Sequence, residues 1–305
     1  MLSQEQQLVV ENIDGHNVVV ALPGSGKTHT LKYAIDHLLE IHPRYKVLVL
    51  TFTNSATAEM NQKIQDHISE RKYAQVRVST FHSLCKEMSY QVDRKRLVMG
   101  GNQKSIVNRA MNEAGVTSYK TAEEAIDFYS AITDLKPTAP YEKLFQLYET
   151  YLNILKSERA KDFGVIFRQV ILGLRDGSVE LEDYDVILVD EYQDTDPQQL
   201  EWLELHGRGR DDKPGAKITV VGDDDQSIYG FRNSLGYQGF THLQKIFDSQ
   251  LFMLTVCRRC APEILEAAGK VVQWNDDRIH KDMISAKAAG GSFTVAHVGG
   301  EQEQY

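Results

Sequence analysis

The chain has 305 residues, 42% hydrophobic and 25% charged, which is the balance of a soluble globular protein with room for two domains of ordinary size. A formal net charge of -9 and a pI near 5.6 argue against holding nucleic acid by bulk positive charge, although aromatic platforms in a narrow groove can still grip a single strand. MLSQEQQLVV has no basic flank followed by an apolar run, and no stretch of about 18 apolar residues occurs, so no signal peptide or membrane span is expected and the default compartment is cytoplasmic.

The first apolar run, NVVVA (17–21), reads as a strand, followed by the tight loop LPGSG and the helix KTHTLKYAIDHLLE. Strand, glycine loop and helix N-terminus in this order form the setting of a phosphate loop, with the backbone of Gly24, Ser25 and Gly26 and the positive end of the helix facing a polyphosphate. Ala21 stands where GxxxxGK[ST] asks for glycine, but a small residue suffices there when φ is not forced positive. Lys27 would bridge the β and γ phosphates and the Thr28 hydroxyl would hold Mg²⁺.

KVLVL (46–50) is a second strand, a helix is expected from Asn54 to Ser69, and VRVST (76–80) is a third strand. From about Lys86 to Arg175 the pattern becomes helical without convincing strands, in Gln103 to Ala114, Thr121 to Leu135 and Tyr141 to Lys156, with a break at PTAP (137–140). This predicts an all-helical subdomain inserted into the sheet domain. DVILVD (185–190) then returns to strand and ends in two acids, which puts carboxylates at the carboxyl edge of the sheet. Asp190 is suited to a metal shell, and Glu191 to orienting and deprotonating a water.

A helix from Pro197 to His206 carries proline in its first turn, and KITVVGD (217–223) leads into GDDDQSIYGFRNS. Gln226 is suited to sensing a γ phosphate; Tyr229 and Phe231 either present rings on one side of a loop or pack in the core. QLFMLTV (250–256) is the sixth strand. Continuous apolarity in all six predicts strands buried on both faces, hence an α/β fold with a parallel sheet and helices on both sides. Cys85, Cys257 and Cys260 make no disulfide framework, and CRRC alone falls short of the roughly four ligands of a closed zinc site.

The ordered motifs LSQEQQLVV, ALPGSGKT, LTFTNSATAEM, STFHSLC, ILVDEYQDTD, VVGDDDQSIYGFRNS and LTVCRRCAPEIL resemble the N-terminal part of a superfamily 1 DNA helicase of the UvrD/Rep/PcrA type. The resemblance implies a RecA-like P-loop fold. Its first motor domain would occupy 1–86 and 177–255, the helical insertion 87–176, and an incomplete second motor domain 256–305. It implies ATP and Mg²⁺ as ligands and 3′ to 5′ movement along single-stranded DNA. Gln6 would bond the adenine, Thr28 and Asp190 would serve the metal, Glu191 the water, and Lys27, Gln226 and Arg259 the phosphates. DNA would cross Phe52, Asn54, Phe81, His82, Tyr229 and Phe231, a reading that favours stacking over packing for the last two.

The family usually has arginine where His29 stands and tyrosine where Arg258 stands, so the adenine side departs from the pattern; a guanidinium can still stack on a base. Later family motifs are not met before Tyr305, which implies slow hydrolysis and no unwinding by this length of chain. A non-motor module switched by ATP is the competing expectation, and the intact set Lys27, Asp190, Glu191 and Gln226 weighs against an inactive one.

Overall fold

A computed structural model describes residues 1–210, 213–227 and 233–294. Six strands, β1 (Asn17–Ala21), β2 (Val47–Thr51), β3 (Val76–Thr80), β4 (Val186–Val189), β5 (Lys217–Gly222) and β6 (Gln250–Leu254), form one sheet in the order β6-β1-β5-β4-β2-β3. Every pairing within it is parallel.

Alternate side chains of these strands enter two separate cores, which is why the runs are apolar throughout rather than at every second position. Val18, Val20, Leu48, Leu50, Ile187 and Val189 face one side. Helices α4 (Phe81–Met88), α8 (Phe163–Asp176), α9 (Pro197–Arg208) and α10 (Tyr237–Phe247) cover that side. Val19, Ala21, Val47, Val49, Val186 and Leu188 face the other, under α1 (Gln4–Glu11), α2 (Lys27–Ile41) and α3 (Asn54–Gln65).

A third core lies among α5 (Gly100–Ala114), α6 (Tyr119–Ser130) and α7 (Phe145–Ser157), where Ile106, Ile126, Tyr129, Tyr148, Tyr151 and Ile154 pack together. Arg168 of α8 is buried against this layer and donates to the carbonyls of Ile132 (3.1 Å) and Tyr129 (2.8 Å) and to the Tyr148 hydroxyl (2.8 Å). α6 stops at Ser130 rather than continuing to Leu135, and Arg168 satisfies carbonyls left free at that end.

Other boundaries shift for equally local reasons. The helix expected to reach Ser69 ends at Gln65, and Ser69 instead caps a further single turn, Glu70–Tyr73. The region read as strandless contains a short parallel pair, Arg96–Leu97 with Ala160–Lys161. QLFMLTV divides at Thr255, whose N–H and hydroxyl both bond the Glu5 carboxylate, at 3.0 and 2.5 Å. Beyond it Val256–Cys257 pairs with Ile284–Ser285 in a separate sheet, next to α11 (Pro262–Val272). Among the described residues no helix is long and apolar enough to cross a membrane.

His206 shows how this core treats a titratable group. Its ring stacks on Trp202 at 3.6 Å, Nδ1 lies 2.8 Å from the Trp202 carbonyl, and Nε2 accepts the Glu182 N–H at 3.1 Å. Burial lowers its pKa from 6.5 to about 3, so the folded protein binds fewer protons than the unfolded chain between those values. The His206 contribution is therefore complete above pH 6.5 and is lost as pH falls, by up to about 1.4 kcal/mol per pH unit. In urea denaturation at pH 7, 6 and 5 the parent should lose more stability with falling pH than His206→Gln does, the difference being the His206 slope; equal slopes in the two proteins would contradict the assignment.

Candidate nucleotide site and adjoining cleft

Because all six strands run the same way, the loops after them share one edge, and the strand order decides which loops are neighbours. The loop after β1 holds Gly24, Ser25 and Gly26, and α2 begins at Lys27. Next along the edge come Asp223 to Gln226 after β5, then Asp190 and Glu191 after β4, Phe52 after β2, and Phe81 and His82 after β3.

A cavity of about 380 Å³ opens over the first of these loops, lined by Gly24, Gly26, Lys27, Thr28, His29, Glu191, Gln226, Arg258 and Arg259, with Pro23 and Lys63. Sequence reasoning did not single out Lys63. It lies on α3 beside the buried Met60 and Ile64, so the packing of that helix carries it to the cavity rim.

The Lys27 ammonium bonds the Glu191 carboxylate at 2.7 Å, and Gln193 Nε2 donates to the same oxygen at 3.0 Å. Burial would raise the Glu191 carboxyl, but the charge and hydrogen bond of Lys27 outweigh it and hold the group below its usual range. Glu191 also has a φ of 52°, a left-handed conformation uncommon outside glycine and frequent at functional sites. Its neighbour Asp190 is pushed up to about 6, first by burial and then by the charge of Glu191. Asp190 Oδ1 accepts the Glu191 N–H at 3.1 Å.

Gln193 is a second residue missed in sequence. It is buried, and its Oε1 accepts the Asp223 N–H at 3.0 Å while its amide holds Glu191, so it bridges the ends of β4 and β5. Gly222 permits this approach: a Cβ there would stand 2.4 Å from Gln193 Oε1. Gln226 in turn donates to Asp223 Oδ2 at 2.6 Å.

The adenine-side candidates converge on one carbonyl. Gln6 Nε2 and Arg258 Nη1 both donate to Ser25 O, at 2.9 and 3.1 Å, while Gln6 Oε1 accepts the Ser3 N–H as part of a capping box. His29 packs against Tyr33 with ring centroids 4.8 Å apart, and its pKa is lowered by burial and then by Lys32 and other cationic neighbours. Thr28 lines the cavity. The Arg258 N–H donates to Gly24 O at 2.9 Å, which fixes the chain after β6 directly on the phosphate loop.

A second cavity of about 360 Å³ lies farther along the edge, between the sheet and the helical layer, and includes Phe52, His82, Phe163, Phe167, Asp194 and Gln198. His82 meets Phe163 and Phe167 edge-on at 4.6 and 5.3 Å, and burial lowers its pKa. Asp194 Oδ1 and Gln198 Nε2 are buried without a hydrogen-bond partner and form an acceptor and a donor on this wall. Asn54 is exposed at the first turn of α3. Phe81 requires a correction: it is 3% exposed and meets Trp202 edge-on at 5.8 Å, so its ring belongs to the core and presents no face to a base. Tyr229 and Phe231 lie outside the described residues.

The family model for the UvrD/REP helicase N-terminal domain matches residues 2–95 and 103–247. The chain belongs to this family. Its relatives include the ATP-dependent DNA helicase PcrA of Leuconostoc citreum, 26% identical over 99% of this chain and 43% of that protein. The PcrA of Staphylococcus aureus (strain Mu50) is 29% identical over 95% of the chain and 42% of its own length. A probable DNA helicase II homolog of Mycoplasma capricolum is 28% identical over 95% and 43%. The chain thus spans about two fifths of the curated relatives it matches, and as a UvrD/REP-type sequence it carries the α/β, P-loop architecture of the N-terminal domain.

Gly24 gives the phosphate loop its sharpest structural requirement. Its φ is +73°, and an added Cβ would stand 2.4 Å from the Cβ of Arg259. The left-handed conformation alone costs a residue with a side chain about 1–2 kcal/mol. Gly24→Ala is expected to lower unfolding free energy by at least that amount in chemical denaturation, and a variant as stable as the parent would contradict the observed packing of Arg259.

Proposed function

We propose that the cavity over β1 binds ATP with Mg²⁺ and that the cleft beyond Phe52 binds single-stranded DNA, as parts of a helicase motor that moves 3′ to 5′ in the whole protein. The observation that carries this reading is the Lys27–Glu191 pair beside a glycine loop at a helix N-terminus, with Arg258 and Arg259 packed against that loop on the same cavity. In this reading 1–86 and 177–255 form the first motor domain, 87–176 the helical insertion, and 256–305 the beginning of the second motor domain. The location is cytoplasmic.

The donor set fits a magnesium nucleotide. Lys27, Lys63, Arg258 and Arg259 bring positive charge to a cavity with one carboxylate on its lining, Glu191. Thr28 on the lining would hold Mg²⁺, with Asp190, which is off the lining, serving it through a water; the ion would neutralise phosphate charge. Lys27 would exchange its Glu191 partner for phosphate oxygens, which would free the Glu191 carboxylate to orient a water and take its proton. Gln226 and Arg259 would contact the terminal phosphate and His29 and Arg258 would flank the base, while Gln6, held by Ser25 O and the Ser3 N–H, would bond the adenine by giving up one of those partners.

In the cleft, Asp127, Asp162, Asp194 and Asp196 would repel a phosphate backbone, so the bases enter and the backbone stays on the rim. Phe52 and His82 supply ring surface, and Asn54, exposed at the first turn of α3, would add a polar contact. Stacking on such rings is worth about 1–3 kcal/mol per base, which offsets the unfavourable net charge.

Two substitutions separate the sites. Lys27→Ala should abolish measurable binding of Mg²⁺ with AMP-PNP, a non-hydrolysable ATP analogue, and leave affinity for oligo-dT intact. Phe52→Ala should weaken oligo-dT binding by about 1–3 kcal/mol and spare the nucleotide. Unchanged nucleotide affinity in Lys27→Ala would overturn the phosphate-loop reading, and unchanged DNA affinity in Phe52→Ala would overturn the cleft.

A further inference from the structure

The three successive aspartates after β5 are held by a segment far along the chain. Lys281 is buried, and its ammonium lies 3.1 Å from Asp223 Oδ1, 2.6 Å from Asp224 Oδ1 and 2.6 Å from Asp225 Oδ2. Arg278 grips Asp225 with both arms of its guanidinium, Nε at 3.0 Å and Nη2 at 2.7 Å, and the Ile279 N–H donates to Asp224 Oδ2 at 2.5 Å. These carboxylates lie close enough together to suggest a cation site. Lys281 already supplies the cation, in a place where three buried carboxylates would otherwise repel one another.

Asp223 connects this cluster to the nucleotide cavity through its two oxygens. Oδ1 faces Lys281 and also accepts the Asp225 N–H at 3.3 Å, whereas Oδ2 accepts the side-chain amide of Gln226, which lines the cavity with Glu191 and Arg259. The Asp223 N–H is meanwhile fixed by Gln193, which also holds Glu191. The rotation of the Asp223 carboxylate, and hence the direction in which the Gln226 amide points, is set by the bonds on Oδ1, of which Lys281 supplies the charged one.

We propose that Lys281, supported by Arg278, is a positioning residue that aims Gln226 at the terminal phosphate and so lets the site distinguish a triphosphate from a diphosphate. The proposal rests on the nucleotide-site reading above. Lys281 and Arg278 follow α11 in the chain, and α11 itself follows the Arg258–Arg259 pair on the cavity wall. One continuous segment therefore touches the nucleotide cavity at one end and sets its γ-phosphate reader at the other.

The test is the ratio of affinities for Mg²⁺ with AMP-PNP and Mg²⁺ with ADP, measured on the full chain by equilibrium titration. Lys281→Met should reduce the preference for AMP-PNP about tenfold, the size of one lost hydrogen bond to a charged group, while ADP affinity stays within about twofold. Lys281→Arg should restore most of the preference. Gln226→Ala should show the same loss, and the Lys281→Met/Gln226→Ala pair should lose no more than either alone, because both act on one contact. Removing a buried cation can prevent folding. In that event Asp223→Asn decides the matter, since its single carbonyl oxygen cannot replace two carboxylate oxygens that face different partners, and the same loss is expected.

A folded Lys281→Met or Asp223→Asn protein that keeps the full preference would overturn the proposal. So would equal losses for AMP-PNP and ADP, or additive losses in the pair. If the parent chain binds neither nucleotide, the nucleotide-site reading fails and the proposal fails with it; a parent that discriminates beside a variant that discriminates equally refutes the proposal alone.

Discussion

Everything in this chain's candidate machinery depends on six strands running in the same direction. A parallel sheet must bury both faces, so its strands are apolar from end to end and cannot carry chemistry along their length. Polar groups are confined to the loops, and parallel order gathers the loops that follow the strands on one edge. The phosphate loop follows β1, Gln226 follows β5, Glu191 follows β4, Phe52 follows β2 and His82 follows β3, so the order β1-β5-β4-β2-β3 ranks the edge from nucleotide candidates to nucleic-acid candidates.

Neighbouring loops on that edge are joined by side chains as well as by backbone bonds such as Arg258 N–H to Gly24 O. Lys27 reaches Glu191, Gln193 ties Glu191 to Asp223, and Asp223 carries Gln226 on one oxygen and Lys281 on the other. Such buried polar chains stabilise only when every member is satisfied, and replacing one member alters its neighbours as well. A change at the phosphate end of the series therefore has a physical route toward the wall of the Phe52 cleft, where Asp194 follows Gln193 in the same turn.

Much of this is legible in the sequence, for identifiable reasons. The six strands announce themselves by unbroken runs of branched apolar residues, and the phosphate loop by strand, glycines and helix in sequence. Boundaries are harder to read because side chains from elsewhere bond the chain there, as Glu5 does at Thr255 and Arg168 does at the end of α6. Phe81 misleads although the signal for its true place is present. Phe81, Leu84, Cys85 and Met88 repeat at the spacing of one helical face, and all four are buried, so its place in a motif outweighs a periodicity that points to the core. Lys281 and Gln193 give no comparable signal, since their importance comes from partners that only the folded chain brings near. Lys63 is partly readable, because the apolar pair Met60 and Ile64 fixes which side of α3 it occupies.

The series Lys27–Glu191–Gln193, with Asp194 next in the chain on the cleft wall, predicts that the two cavities on this edge are energetically linked. The most direct measurement is the affinity of the chain for oligo-dT with and without saturating Mg²⁺ and AMP-PNP, together with the reciprocal titration. Linked sites must change one another's affinity by the same factor, and a coupling of about 1–3 kcal/mol, or roughly 5–150-fold, is the usual range. Equal, non-unit factors are expected in the two titrations, abolished by Gln193→Ala. Affinities that are each indifferent to the other ligand would contradict it.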